Sequence, residues 1–351
     1  MKYLLDLDKL QQGDIVLEAG ETPVISEVIK KVTKSDYSHA MIYIDHSLIH
    51  AVKKGGVFSK NPQRILLSSK DSFKVLRLKD PALHSRLESV CDNARAKVGS
   101  LYSTTEAGKA VLPNKPQGKN RKQFCSRLVA QSYKEARIEL VNNADYCTPE
   151  DINNSSLLEV VNDCVREATE QDIEMASRED PNLENQEETF KWLKLAREHL
   201  KKEGADIQTI NDISQHLVND KSSDKRICKF IESTRYLKLY NVDRKLNPYR
   251  YNVQEFTEKM QTALNHDTLI ASEVDLNRRE LERHRKSIGI ARQNYRNFNL
   301  KFTKLHIQLY RNILLETEHR LKVILRYPFI DPHTSIIVNK YLSEVSSLVR
   351  Q

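Results

Sequence analysis

Apolar and polar residues alternate with strand-like spacing in the first third of the chain and with helical spacing in the rest. Short runs rich in Val, Ile, Tyr and Phe, separated by Gly, Asn, Asp or Ser, predict strands connected by hairpins. The predicted strands cover 14–19, 40–45, 47–52, 55–59 and 73–78. Helical patterns cover 24–34, 81–98 and 125–137. The first third of the chain is therefore predicted to be an α+β domain.

An acidic segment follows this region. Between Glu167 and Glu188 the chain has nine acidic residues and one basic residue, Arg178. Pro181 lies in the middle of the segment. We interpret 166–190 as an acidic linker or an exposed connecting helix. The predicted domains are 1–165 and 191–351.

The region after the linker is predicted to be all-α. No proline occurs between Pro248 and Pro328, and apolar side chains recur every seven residues. These are Val274, Leu281, Ile288, Tyr295, Phe302 and Leu309. The partner positions are weaker, since Asn277 and His284 are polar. The pattern predicts a long amphipathic helix over about 270–326 within a helical accessory domain; an intermolecular coiled coil is the alternative.

Composition narrows the class of protein. The chain has 351 residues, 39% of them hydrophobic and 30% charged, and no run of 18 uncharged apolar residues. The N-terminus does not read as a signal peptide, because Asp6 and Asp8 interrupt its short apolar patch. The five cysteines are odd in number and never spaced as CxxC, which argues against a disulfide framework and a structural zinc site. A cytoplasmic protein is expected, with export as an effector left open.

One cysteine, Cys125, lies at the predicted start of an amphipathic helix in QFCSRLVAQSY. A helix N-terminus lowers a thiol pKa and so favours the nucleophilic thiolate. Upstream, His39 begins a strand, and His50 lies in the next strand of the predicted hairpin. One imidazole can then be the base and the other can orient it. The alternative is a small buried cysteine and two structural strand histidines.

Two ligand sites were also considered. His39, His46 and His50 fit no common zinc spacing, and His46 falls in the predicted turn, so neither a metal nor a cofactor is predicted. The loop 115–127 has five Lys or Arg, which suit either a phosphate or carboxylate near the thiol or a solvated loop.

Several segments, read together and in order, carry a family resemblance. They are GDIVLEAG, VISEVIKKVTKSDYSHAMIYID, LIHAV, KVGSLY, QFCSRLVAQSYKEA and YCTPEDINNSSLLEVV. Over roughly 10–165 the chain resembles the circularly permuted branch of the NlpC-type papain-like hydrolases, the YiiX-like group. In that branch the histidine strand precedes the cysteine helix. The resemblance implies an antiparallel sheet packed on a cysteine-bearing helix, with Cys125 as nucleophile and His39 as general base.

The resemblance leaves the third catalytic position open. YiiX-like members often carry a glutamate on the strand after the histidine strand, whereas the related lecithin:retinol acyltransferase-like members carry a second histidine. This chain has His50 there. Glu18 and Asp14 are alternatives only if the fold brings them close. Tyr102 matches an aromatic position beside the active site of relatives, and is the expected substrate contact, although the acidic residue expected just after it is missing.

Two functions follow. The first is a cysteine hydrolase or acyltransferase that cleaves an amide or ester bond of a lipid, peptide or peptidoglycan fragment through an acyl-thioester. The second is a non-catalytic module whose basic helices contact nucleic acid or a protein partner. Residues 277–301 have eight Lys or Arg and two acids, which suits phosphate contact or a basic solvated face. Nucleic acid is the less favoured partner; self-association through the helical domain and peripheral membrane contact are open.

Overall fold

The computed structural model describes residues 1–19, 36–110, 120–263 and 265–351. The chain divides into two compact units, one formed by 1–197 with 201–212 and the other by 198–200 with 213–351. The predicted helix over 24–34 lies outside the described residues. No helix in the described part of the chain is long and apolar enough to cross a membrane.

The first unit is built on a six-stranded sheet in which every neighbouring pair is antiparallel. Its strands, in the spatial order β5-β4-β3-β2-β6-β7, are β2 (Ile15–Glu18), β3 (His39–Ile44), β4 (Ser47–Val52), β5 (Gly56–Lys60), β6 (Phe73–Leu78) and β7 (Leu158–Val161). Strands β1 (Tyr3–Leu5) and β8 (Val165–Glu167) form a separate two-stranded sheet. The five strands predicted from the sequence are confirmed to within one residue at nearly every end.

The hairpin between β3 and β4 turns through Asp45 and His46, whose φ angles are 45° and 60°. Two successive residues in this left-handed region match the twist of the flanking strands. The turn sets the register in which Ile42 lies opposite Ile49. Carried toward the open end of the hairpin, this register leaves His39 and His50 as diagonal neighbours.

Helices cover one face of the sheet. They are α1 (Leu87–Ala96), α2 (Thr104–Lys109), α3 (Cys125–Glu135) and α4 (Pro149–Asn153). The buried side of α3, including Leu128, Val129 and Tyr133, joins the core formed by Ile15 and Ile42 of the sheet. The opposite face of the sheet packs in a second core with residues of β1 and with Cys164. The fold is α+β, as predicted, with an antiparallel sheet packed on the cysteine-bearing helix.

The segment predicted as an acidic linker is ordered secondary structure. After β8 the chain forms α5 (Glu170–Ser177) and α6 (Pro181–Lys201). Thr169 and Asp172 form a capping box at the start of α5, which fixes a helix that acidic composition alone does not reveal. The first compact unit therefore continues well beyond residue 165.

The second unit is helical. Its elements are α7 (Ile210–Asn219, shared with the first unit), α8 (Asp224–Glu232), α9 (Asp243–Leu246), α10 (Val253–Gln261), α11 (His266–Phe298), α12 (Lys301–Leu325) and α13 (Pro332–Arg350). The prediction of a single helix over about 270–326 is wrong. Asn299 takes the left-handed conformation, with φ 49°, and separates α11 from α12. Asparagine tolerates this conformation, so the break needs no proline or glycine. The sevenfold apolar positions contribute to packing within the unit, since Leu281, Ile288, Phe302 and Leu309 are all buried.

Candidate active site

Cys125 is the first residue of α3, as predicted. Phe124 precedes it in extended conformation and provides no side-chain cap, so the first N–H groups of the helix point out of its end without an intrahelical acceptor. Backbone N–H groups of Ala40, Ser126 and Cys125 donate toward the sulfur. Ala40 directly follows His39 on β3. The thiol therefore lies beside the strand that begins with the candidate base.

The two predicted histidines lie in direct contact. His39 Nε2 and His50 Nδ1 are 2.9 Å apart, and the rings meet edge to face with centroids 5.2 Å apart. His50 is buried and also packs edge to face on Phe58, with centroids 4.5 Å apart. The contact uses Nε2 of His39 and leaves its Nδ1 for another role. In this contact one imidazole can fix the orientation of the other.

The tautomers follow from this contact. For Nδ1 of His39 to accept a proton, neutral His39 must carry its own proton on Nε2 and donate it to Nδ1 of His50. The proton of His50 then lies on Nε2, a buried atom with no hydrogen-bond partner among the described residues. The edge-to-face ring of Phe58 holds this side of His50 in an apolar environment.

Burial keeps the reacting groups neutral. It lowers the pKa of His39 to about 4, and the nearby charge of Lys60 acts in the same direction. Burial also lowers the pKa of His50, with added repulsion from His39 and Lys60. The pKa of the Cys125 thiol is raised by burial, although the three backbone N–H groups oppose the rise. The sequence predicted a lowered thiol pKa from the helix N-terminus; desolvation outweighs that effect.

Tyr102 packs against the buried cluster that contains Phe124, the residue before Cys125. Burial raises the Tyr102 pKa, and the charge of a Cys125 thiolate would raise it further. A short bridge between Tyr102 and Gln123 places the two segments side by side. Its hydrogen bonds run from Gln123 N to Leu101 O, at 2.8 Å, and from Ser103 N to Gln123 O, at 2.9 Å. The residues just before the cysteine are thereby fixed against Tyr102.

A buried ion pair that the sequence did not reveal secures the start of α3. Arg127, whose side chain is 1% exposed, pairs with Glu106 of α2 at 3.2 Å and donates to Asp145 O at 2.7 Å. The guanidinium lies over the rings of Phe124 and Tyr146. Hydrogen bonds from Lys109, Tyr146 and Arg127 lower the pKa of Glu106 to about 2. Glu106 is the first acidic residue after Tyr102. Its buried ion pair with Arg127 stabilises the start of the cysteine helix, α3.

The structure places the other sequence candidates in different surroundings. Asp14 is buried and ion-pairs with Arg77 at 2.6 Å while accepting from Gln11 N at 2.7 Å, so it fixes the turn before β2. Glu18 lies directly opposite His39 in the antiparallel β2–β3 register. Of the basic loop, Lys115 and Lys119 lie outside the described residues, while Arg121 binds Asp212 and Asp206 O. Within the described residues no cluster of three or more His, Cys, Asp or Glu has the arrangement of a metal site.

Comparison with known families agrees with this geometry. Residues 9–164 match the model of a family described as permuted papain-like amidase enzyme, YaeF/YiiX, C92 family. This part of the chain is similar to that family. The match to the permuted papain-like amidase domain covers the sheet, the two histidines and the cysteine helix, and it supports in broad terms a cysteine hydrolase acting on amides. The resemblance found in the sequence is confirmed. No curated protein matches the chain.

Proposed function

We propose that the permuted papain-like amidase domain cleaves an amide bond through an acyl-thioester on Cys125, with His39 as general base and His50 as the residue that orients it. The contact between His39 Nε2 and His50 Nδ1, at 2.9 Å, is the observation that carries the proposal. It supports a base whose Nδ1 is free of its proton and directed by a second imidazole. The amide of Ala40 at the sulfur supports the approach of the thiol to the same strand.

In the proposed cycle the thiol proton moves to His39 Nδ1 as the sulfur attacks the substrate carbonyl. The C–N bond then breaks, and His39 returns the proton to the leaving amine. Water, deprotonated by His39, hydrolyses the thioester and restores the thiol. Because burial favours neutral Cys125 and neutral His39 at rest, proton transfer accompanies attack instead of preceding it as a stable ion pair.

Charge develops on His39 and on the carbonyl oxygen during attack. His50 Nδ1 accepts from the imidazolium Nε2–H and stabilises it. The backbone N–H of Cys125, at the start of α3, would turn to the oxyanion, a contact that supplies about 3 kcal/mol in other acyl-transfer enzymes. Tyr102, beside the thiol, would contact the acyl group.

The test uses a panel of fluorogenic acyl amides with peptidyl and fatty-acyl groups. We expect the parent protein to release the amine from at least one class and Cys125→Ala to release none. Cys164→Ala is the matched control, because Cys164 is buried in the other core of the same domain. Adding hydroxylamine tests for the acyl-thioester, because this amine intercepts the thioester and releases an acyl hydroxamate and the free thiol. Equal turnover by the parent and Cys125→Ala would overturn the proposal.

A further inference from the structure

A basic cavity lies in the helical unit, and none of its lining residues takes part in the proposed mechanism. It has a volume of about 880 Å³ and is formed by the end of α11, the first half of α12 and the end of α13. Six of its twelve lining residues are basic, and none is aspartate or glutamate. The basic residues are Arg292, Arg296, Lys301, Lys304, Arg311 and Arg350. A cavity of this size is in the range that accommodates small-molecule ligands.

Acids of the unit neutralise only part of this charge. Lys301 pairs with Glu232 at 2.7 Å, and Asp224 accepts from the backbone N–H groups of Lys301 and Phe302. These contacts use the nearby carboxylates at the start of α12. Among the described residues, no aspartate or glutamate forms an ion pair with Arg292, Arg296, Lys304 or Arg311.

Two of the guanidinium groups are held in place by the end of α13. Arg292 donates to Leu348 O at 2.6 Å, and Arg311 Nε donates to Val349 O at 3.0 Å. The carbonyl groups at a helix C-terminus favour cations. Each of these two hydrogen bonds satisfies one nitrogen of its guanidinium group. Arg311 keeps both Nη groups for another acceptor. The bonds fix two cations at the cavity before any ligand arrives, which reduces the entropy cost of binding.

The cluster also carries a repulsion that an anion would relieve. Burial lowers the pKa of Arg292, and the neighbouring charges of Arg296 and Arg311 lower it further. Guanidinium groups have the fork geometry that matches phosphate oxygens. Tyr295, Leu305 and Val349 add ring and aliphatic surface to the wall. One isolated phosphate would leave most of these cations unpaired, so the site suits several phosphates on one compact scaffold.

We propose that the cavity between the ends of α11 and α13 and the first half of α12 binds a compact ligand with several phosphate groups, either a soluble cyclitol polyphosphate or the phosphorylated headgroup of an inositol lipid. The proposal is independent of the thiol chemistry.

Binding of inositol hexakisphosphate to the full chain is measured by calorimetry at about 150 mM salt, and binding to phosphatidylcholine vesicles with and without phosphatidylinositol bisphosphate by sedimentation. The pocket variant is Arg296→Glu with Lys304→Glu. The control is Lys245→Glu with Lys340→Glu, two exposed positions of the same unit outside the cavity, which gives the same net charge. Circular dichroism verifies that both variants fold.

We expect the pocket variant to weaken inositol hexakisphosphate binding at least about thirtyfold, because each lost charge-assisted hydrogen bond is worth about tenfold or more. The control should change it less than about threefold. Vesicle binding that needs the bisphosphate lipid and fails in the pocket variant assigns the lipid source; binding of the soluble ligand alone assigns the free one. Equal weakening by both variants, or no binding to either probe, would overturn the proposal.

Discussion

Titratable side chains differ between the candidate active site of the first unit and the ion-pair network around Arg320 in the second. In the first unit, burial pushes His39, His50 and Cys125 toward their neutral forms, and the pKa of His39 falls to about 4. In the ion-pair network around Arg320 in the second unit, buried and half-buried groups stay charged because they are paired. Burial alone would raise the pKa of Glu280, yet the guanidinium of Arg320 lowers it to about 2. Neutral titratable side chains without an ion-pair partner, at the ends of a helix and a strand, indicate a chemical role. Ion pairs whose charges are satisfied indicate a structural role.

The paired network of the helical unit is extensive. Arg320, whose side chain is 5% exposed, donates to Asn277 at 2.9 Å and to Asp243 at 3.3 Å, and also binds Glu280. Arg250 binds Glu273 at 2.8 Å. These bonds satisfy groups that would otherwise be costly to bury. The network fixes the packing of α9, α11 and α12.

Removing the nucleophile gives the largest effect. Cys125→Ala should lower amide turnover at least about a thousandfold, and His39→Ala about a hundredfold or more, because each removes a participant in the same proton transfer. Both should retain the thermal midpoint of the parent. Initial rates on the amide substrate that the parent cleaves, measured with unfolding scans, check this. A His39→Ala variant that keeps the rates of the parent would contradict the proposed role of His39 as general base.

Breaking the paired network should destabilise the second region strongly. Arg320→Met leaves Glu280 and Asp243 without their buried partner, and we expect a loss of about 3–5 kcal/mol in the free energy of unfolding. Urea unfolding followed by far-ultraviolet circular dichroism measures it. Arg285→Met is the control: its ion pair with Glu344, at 2.8 Å, is exposed, and the expected loss is below about 1 kcal/mol. Equal losses of unfolding free energy in the two variants would show that burial does not determine how much an ion pair contributes to stability.

His50 should affect rate more than substrate binding. His50→Ala removes the acceptor for His39 Nε2, and we expect kcat to fall about tenfold to a hundredfold with little change in KM. His50→Asn restores an acceptor oxygen and should recover part of the loss. A steady-state comparison of the three proteins checks this. A fall in stability alone, with kcat retained, would assign His50 a structural role.

Stability should depend on pH through His39. Its pKa of about 4 lies below the ordinary value of 6.5, so between these values the unfolded chain binds more protons than the folded one. Stability contributed by the neutral imidazole is therefore present above pH 6.5 and is lost as the pH falls toward 4. The thermal midpoint should drop over this window, and drop less in His39→Gln. Parallel profiles for the two proteins would contradict the shifted pKa.

The smallest effect concerns Lys60, whose charge lowers the pKa of both histidines. Lys60→Gln should raise the His39 pKa and move the acidic limb of the activity profile to higher pH by a few tenths of a unit. The pH dependence of kcat/KM for the two proteins measures the shift. Movement of the limb to lower pH would contradict the sign of this interaction.

The sheet and the proximity of His39 to His50 could be predicted from sequence because their signals are local. Period-two patterning and Gly punctuation define β2 to β6, and the hairpin sets the diagonal of His39 and His50. Strands β7 and β1 depend on pairing with distant segments, such as Tyr3 opposite Glu167, which no local pattern reports. The site environment was equally hidden. The raised thiol pKa follows from burial, and the support of α3 follows from Glu106 meeting Arg127 across the fold.

In the helical half, the sequence pattern misled where polar side chains occupy core positions. Asn277 weakened the predicted apolar seam, yet it is completely buried because it accepts from Arg320. The break at Asn299 also lacked a strong signal, since the residue type only permits the left-handed conformation. The basic stripe did have a visible signal, but its concentration at one cavity needs α13 to fold against α11 and α12.

The alkylation rate of Cys125 tests most directly whether His39 activates this thiol. Its alkylation by iodoacetamide, followed by peptide mass spectrometry from pH 4 to 10, is compared in the parent, His39→Ala and His50→Ala. Cys91 and Cys164, both buried in the same domain, are internal controls. At pH 7 we expect Cys125 of the parent to react faster than Cys91 and Cys164, and to react at least about tenfold more slowly in His39→Ala. Alkylation of Cys125 at the rate of the control cysteines, unchanged in His39→Ala, would contradict it.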